Sequence, residues 1–388
     1  MTVNNLLFSL ISSEISEGRI KPKYDKKPDE ATLSKLYQTS KAHDMAHIVC
    51  NALEKEGFLG VDEIGKKFVK KRLVAMYRTE QIVYDFYGIC RCLEDNGVDF
   101  IPLKGSVIRD LYPEKWMRTS CDIDILVKKD DCERAGKALT EKLGFKISGG
   151  KTLHDFQYQS PTGVPLELHY TLIEEDCMPN AAPFLENVWD DAKLCEGSEH
   201  KYELSKELFA FYNIVHMAKH VLHGGCGIKS FVDLYILENK IDFDREKLEN
   251  LLKQASMLTF YEAAKKLCRV WFDNDEHDET SKALEKYVLD GGVYGTATNG
   301  AAIRAGKGES KAKSFLDNAV LSYDALCVIY PELKGKKVLY PFYQIKRWFR
   351  IFNKDKRKKI SDLTNIRNKV SDEKQTNAKR LLDDLDLK

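Results

Sequence analysis

Apolar residues recur at spacings of three and four, with charges between them, over Ala31 to Glu56, Lys66 to Asn96 and Leu204 to Leu222. That pattern predicts helices with one face against a core. Between the second and third stretches the pattern shortens. Strands are expected at 99–103, 122–128 and 144–149, with helices at 106–111 and 130–142 between them. His154 to Ser160 and Val164 to Tyr170 then read as an antiparallel hairpin around P-T-G. Helix–strand alternation followed by a hairpin predicts an α+β fold, a small mixed sheet with helices on one side. Helical regions flank it, giving 1–95 as an N-terminal helical region, 96–175 as the core and 176–333 as a C-terminal helical domain. A basic aromatic tail follows at 334–388.

Side chains alternate across a strand, so Asp122 and Asp124 share one face while Ile123 and Ile125 take the other. Two carboxylates held that close repel each other unless a cation lies between them. Hard divalent ions such as Mg²⁺ are bound by one or two carboxylates plus phosphate oxygens. A D-x-D pair alone also suits the wet face of an edge strand. Two neighbours favour the metal. Gly105-Ser106 closes one strand and opens a helix, where a glycine lets an anion approach the backbone. In V-P-L-E-L-H-Y, Glu167 and His169 share a face opposite Leu166 and Leu168, which supplies a third acid.

The order G-S, D-h-D-h and h-E-h (h apolar) resembles the nucleotidyltransferase superfamily that includes DNA polymerase beta and kanamycin nucleotidyltransferase. More narrowly, L-K-G-S, R-T-S-C-D-I-D-I-L-V and L-E-L-H-Y resemble the bacterial "uncharacterised nucleotidyltransferase" family. The resemblance is close around the core and looser along the helical remainder. It implies a nucleotidyltransferase core in which Asp122, Asp124 and Glu167 are catalytic and bind Mg²⁺ or Mn²⁺. Gly105 and Ser106 would hold the phosphates of a nucleoside triphosphate, with ATP the expected one, and Lys104 and Arg118 are further phosphate candidates. His169, His216 and His220 would line the substrate cleft. The product would be a nucleoside monophosphate ester of an unknown hydroxyl acceptor, plus pyrophosphate. A non-catalytic nucleotide-binding regulatory protein and a nucleic-acid-modifying transferase are the alternatives.

The remaining features narrow this little. The 388 residues carry a net charge of +1, so no overall field points to nucleic acid or a membrane. The apolar patch Leu6 to Ile11 is too short to span a bilayer and has no basic segment before it, so an amphipathic helix is expected. Ten scattered cysteines without a C-x-x-C pair read as reduced thiols in the cytoplasm. His43-Asp44 and His47 read as exposed or capping residues. His216 and His220 lie four apart on one helix face, but without the glutamate of a zincin motif. The stretch Gly291 to Gly308 reads as a mobile connector, and Lys307 followed by Gly308 breaks the P-loop pattern. In the tail, aromatic residues from Tyr340 to Phe352 interleave with Lys346, Arg347, Arg350 and Lys356 to Lys359. An aromatic face docked on the bundle is preferred there over a nucleic-acid surface. Residues 360–388 read as a peripheral helix.

Overall fold

The computed structural model describes residues 2–152, 154–172, 178–293, 295–308, 320–351 and 370–387. The N-terminal region is helical: α1 (Val3–Ile15), α2 (Glu30–Ala42), α3 (Ala46–Lys55) and α4 (Glu63–Asp95). Helix α1 is buried on nearly every side through Leu6, Leu7, Phe8, Leu10 and Ile11. Its Glu14 accepts hydrogen bonds from Asn51 and Lys55. The single helix expected over 31–56 is broken at Asp44, whose φ is +55°. Aspartate tolerates that left-handed conformation, and its carboxylate accepts a bond from Thr119 Oγ1 at 2.7 Å. His43 and His47 flank the break and are buried, not exposed, with His47 Nε2 2.9 Å from the Met117 carbonyl.

The module that follows contains strands β1 (Phe100–Pro102), β2 (Ile123–Val127), β3 (Lys146–Lys151), β4 (Asp155–Gln159) and β5 (Pro165–His169). Helix α5 (Gly105–Ile108) is a single turn running into a 3-10 turn at Arg109–Leu111, and α6 is Cys132–Leu143. The strands form one mixed sheet in the order β1-β2-β5-β4-β3, with β2 and β5 parallel and the other pairs antiparallel. Ile123, Ile125, Val127, Leu166 and Leu168 pack against Ile82, Ile89 and Leu93 of α4 and against Ala135 and Leu139 of α6. Alternation therefore turns Asp124, Glu167 and His169 to the opposite face.

Helices of the C-terminal region complete the core. They are α7 (Ala182–Glu186), α8 (Val188–Asp191), α9 (Lys206–His223), α10 (Ile228–Lys240), α11 (Arg245–Gln254), α12 (Leu258–Phe272), α13 (Glu279–Gly291) and α14 (Ala297–Gly306). A two-stranded ribbon, β6 (Lys193–Leu194) and β7 (Tyr202–Glu203), precedes α9. Apolar residues of α1–α3 and α9–α13 form one continuous core.

The glycine-rich stretch after α13 is structured. Gly225, at φ +156°, lies so close to Gly295 that a Cβ would sit 2.4 Å from its Cα. Small residues let α14 pack against this corner, burying Ala301, Ala302 and Ile303. Gly225→Ala is expected to cost about 2–4 kcal/mol through the backbone clash and the unfavourable φ. Urea unfolding measures this, and a loss below about 0.5 kcal/mol, the range of a harmless surface change, would contradict the packing.

In the tail, α15 (Tyr323–Ile329) and α16 (Tyr340–Ile351) enclose a small core of Leu326, Tyr330 and Leu333 with Tyr340 and Tyr343. Phe342 and Phe349 are exposed, so the aromatic face is only partly docked. Phe352 and Lys356 to Lys359 lie outside the described residues. Helix α17 (Asp372–Asp384) is anchored where a peripheral helix was expected, since Ala378, Leu381, Leu382, Leu385 and Leu387 enter the main core. Among the described residues no helix is long and apolar enough to cross a membrane, and nine cysteines are free thiols.

Candidate active site

The parallel pairing of β2 with β5 sets Asp124 directly opposite Glu167, with His169 two residues further along the same face. His169 Nε2 lies 2.9 Å from Asp124 Oδ1 and 3.4 Å from Glu167 Oε2. One ligand atom from each of these three residues falls within 4.8 Å of the others. Asp122 is not in that group. It lies in the bend just before β2 and lines the same cleft, a cavity of about 290 Å³ between the sheet and the helices α9 and α10.

Lys104 reaches into this cluster, donating to Asp124 Oδ1 at 2.9 Å. Its backbone is unusual for a residue with a side chain, at φ +44° and ψ −120°, and such conformations are held in place by their surroundings. Burial works against the Lys104 ammonium, but the Asp124 carboxylate, with Tyr212 and Glu167 adding to it, holds its pKa above the ordinary value. Burial likewise opposes the Asp124 carboxylate, yet Lys104 and His169 keep it ionised well below the usual carboxylate range. His169 is raised to about 9, because its hydrogen bonds to Asp124 and Glu167 outweigh burial.

Asp122 behaves oppositely. Burial first, then the Asp124 and Glu167 carboxylates, raise its pKa. The carboxylates of Asp122, Asp124 and Glu167 suit a hard divalent cation, and the raised Asp122 marks where one more positive charge would be accommodated. Lys104 and Lys229 offset part of the rise at Asp122, and Lys104 and His169 answer the charge of Asp124.

A second ion pair fastens the rim. Arg118 Nε donates to both Asp233 oxygens, at 2.8 and 3.0 Å, and Tyr112 donates to Asp233 Oδ1 at 2.7 Å. Arg118 thus ties the loop before β2 to α10, in addition to lining the cleft. A Cβ on Gly105 would lie 3.3 Å from Arg118 Nη1, so this glycine lets the turn sit close to the guanidinium. Ser106 is buried and does not line the cleft. The helix behind the turn is too short to contribute much dipole, so what the turn brings to the cleft is Gly105 and the adjacent Lys104.

From the helical side, α9 presents His216 and His220 to the cleft, with their Nε2 atoms 2.9 Å apart. Burial, followed by the nearby Lys104 and His220, holds His216 well below the ordinary histidine pKa. Sequence reasoning missed four contributors. Asn213 lies one turn before His216 and also lines the cleft. Arg109 is buried and braces the loop before β2, donating from Nε to the Arg118 carbonyl at 3.2 Å and from Nη2 to Ser120 Oγ at 2.5 Å. Lys229 and Ser230 line the cleft from the start of α10. The only signal for the last pair was a lysine and a serine interrupting the apolar run I-K-S-F-V.

No curated protein and no solved structure matches the chain. The family described as "Uncharacterised nucleotidyltransferase" matches residues 29–273, more than half of the chain and all of the cleft residues described above. With that span covering the sheet, its acidic face and the helices that close over it, the chain belongs to the uncharacterised nucleotidyltransferase family.

Proposed function

We propose that the protein transfers a nucleoside monophosphate from a nucleoside triphosphate, ATP being the expected one, to a hydroxyl acceptor, with divalent metal required. The observation that carries this reading is the pairing of Asp124 with Glu167 across parallel strands at the base of a cleft with cationic walls. Asp122, Asp124 and Glu167 would hold Mg²⁺ or Mn²⁺, with His169 orienting the Asp124 and Glu167 carboxylates through its Nε2. When bound, the metal supplies charge stabilisation at the attacking and leaving oxygens of the displacement.

The chain's own residues do the rest. Lys104 and Arg118 hold the negative charge of the phosphates beside the Gly105 turn. Glu167 is more accessible than Asp124, at 31% against 7% side-chain exposure, and receives the proton of the acceptor hydroxyl. The acceptor oxygen bonds to the α-phosphorus as the bond to the β-phosphate oxygen breaks, and pyrophosphate leaves. His216 and His220 shape the acceptor side. The free thiols fit a cytoplasmic setting.

A second reading has one observation in its favour. Lys104 and His169 already neutralise Asp124, as a regulatory protein that binds nucleotide without turnover would require. Incubating the protein with each of the four nucleoside triphosphates, Mg²⁺ or Mn²⁺ and pooled acceptors separates the two. Metal-dependent pyrophosphate release, with an adduct heavier by one nucleoside monophosphate residue, is the expected result. Nucleotide binding without pyrophosphate from any pool would favour the regulatory reading.

A further inference from the structure

Most cations on the cleft walls face a carboxylate. Lys104 pairs with Asp124 and Arg118 with Asp233, while His169, expected in the cleft lining, lies behind it between Asp124 and Glu167. Lys229 differs. It is the second residue of α10 and only partly exposed, and its Nζ makes one long hydrogen bond, 3.4 Å, to the Thr119 carbonyl. Among the described residues no carboxylate lies within ion-pair distance of it. Burial and then Arg118, its close cationic neighbour, lower its pKa, Asp233 and Asp44 offset this only in part from beyond ion-pair distance, and its charge is felt across the cleft at Asp122.

A partly buried ammonium beside another cation, with no anion in direct contact, is unfavourable in the free protein. Local conflicts of this kind concentrate at functional sites. The missing partner is an anion delivered to the space between Lys229, the Gly105 turn and Asp122. The neighbouring Ser230 hydroxyl and the Ser120 side chain line the same space and suit phosphate oxygens.

We propose that Lys229 binds the polyphosphate chain of the nucleotide from the helical side of the cleft. The proposal rests on the nucleotidyltransferase reading and adds a residue from outside the sheet. It gives the leaving pyrophosphate a charge-assisted contact away from the acidic cluster. It also makes α10 the element that distinguishes a triphosphate from a monophosphate.

The test is calorimetric titration at fixed salt and Mg²⁺ of each nucleoside triphosphate and its matching monophosphate. Wild type is compared with Lys229→Met and Lys229→Arg. Wild type is expected to bind one triphosphate more tightly than its monophosphate. Lys229→Met should weaken triphosphate binding by about tenfold or more, the effect of losing a hydrogen bond to a charged group, and leave monophosphate binding unchanged. It should melt no lower than wild type, and Lys229→Arg should recover most of the loss. Equal weakening of both nucleotides, or no weakening of either, overturns the assignment while the nucleotide site stands. Wild type that binds no triphosphate overturns the assignment and the nucleotidyltransferase reading together.

Discussion

Asp124→Asn is expected to lower metal-dependent pyrophosphate release by about a thousandfold, the equivalent of several kcal/mol of lost charge stabilisation, and to melt below wild type. Asp122→Asn is expected to lose comparable activity yet melt at or above wild type. The two aspartates are one residue apart, and their surroundings push them in opposite directions. Asp124 is ionised and answered by Lys104 and His169. Removing its charge leaves two cations in a low-dielectric pocket, a loss of about 3–5 kcal/mol when one partner of a buried pair is removed. Asp122 carries a carboxyl whose pKa is raised by burial and by the other two acids. A folded-state value above the unfolded one means its ionised form opposes folding at neutral pH, so an uncharged amide relieves repulsion. Activity assays beside thermal melts of both variants check this. Equal destabilisation by the two substitutions would contradict the electrostatic picture of the cluster.

Asp233→Ala is expected to destabilise the protein by about 3–5 kcal/mol, because it leaves the buried Arg118 guanidinium without its carboxylate and Tyr112 without its acceptor. The same change loosens the loop before β2, which Arg118 joins to α10. Arg118→Met combined with Asp233→Leu should cost clearly less than the two single changes added, since neither charge is then stranded. Urea unfolding of the four proteins gives the coupling. A loss below about 1 kcal/mol for Asp233→Ala would mark the pair as an ordinary wet ion pair.

The sheet was readable along the chain because Asp122, Asp124, Glu167 and His169 alternate with apolar residues where an unpartnered charge would be expensive. Pairing of β2 with β5 follows from that same patterning, since both strands must bury Ile and Leu on the α4 and α6 side. Other features depended on partners remote in sequence. The break at Asp44 is supported by Thr119, and His47 is buried because Met117 offers it a carbonyl. The glycines at 291–295 have the composition of a connector, and only the approach of Gly224 and Gly225 makes them a packed corner. Within the site, Lys104 was read as a phosphate contact, yet its nearest partner is Asp124. Lys229 stayed hidden because one lysine near the start of a helix carries no periodic signal.

In the proposed reaction, Asp122, Asp124 and Glu167 would gather a divalent cation beside a triphosphate held at the Gly105 turn. A crystal of the protein with Mn²⁺ and a non-hydrolysable triphosphate, with data collected at the manganese edge, tests it most directly. An anomalous peak is expected about 2.1 Å, a hard-cation distance, from oxygens of Asp122 and Asp124, with the phosphates between Gly105 and Lys229. Nucleotide bound away from this cleft, or no peak there while Lys104 and His169 still hold Asp124, would contradict it.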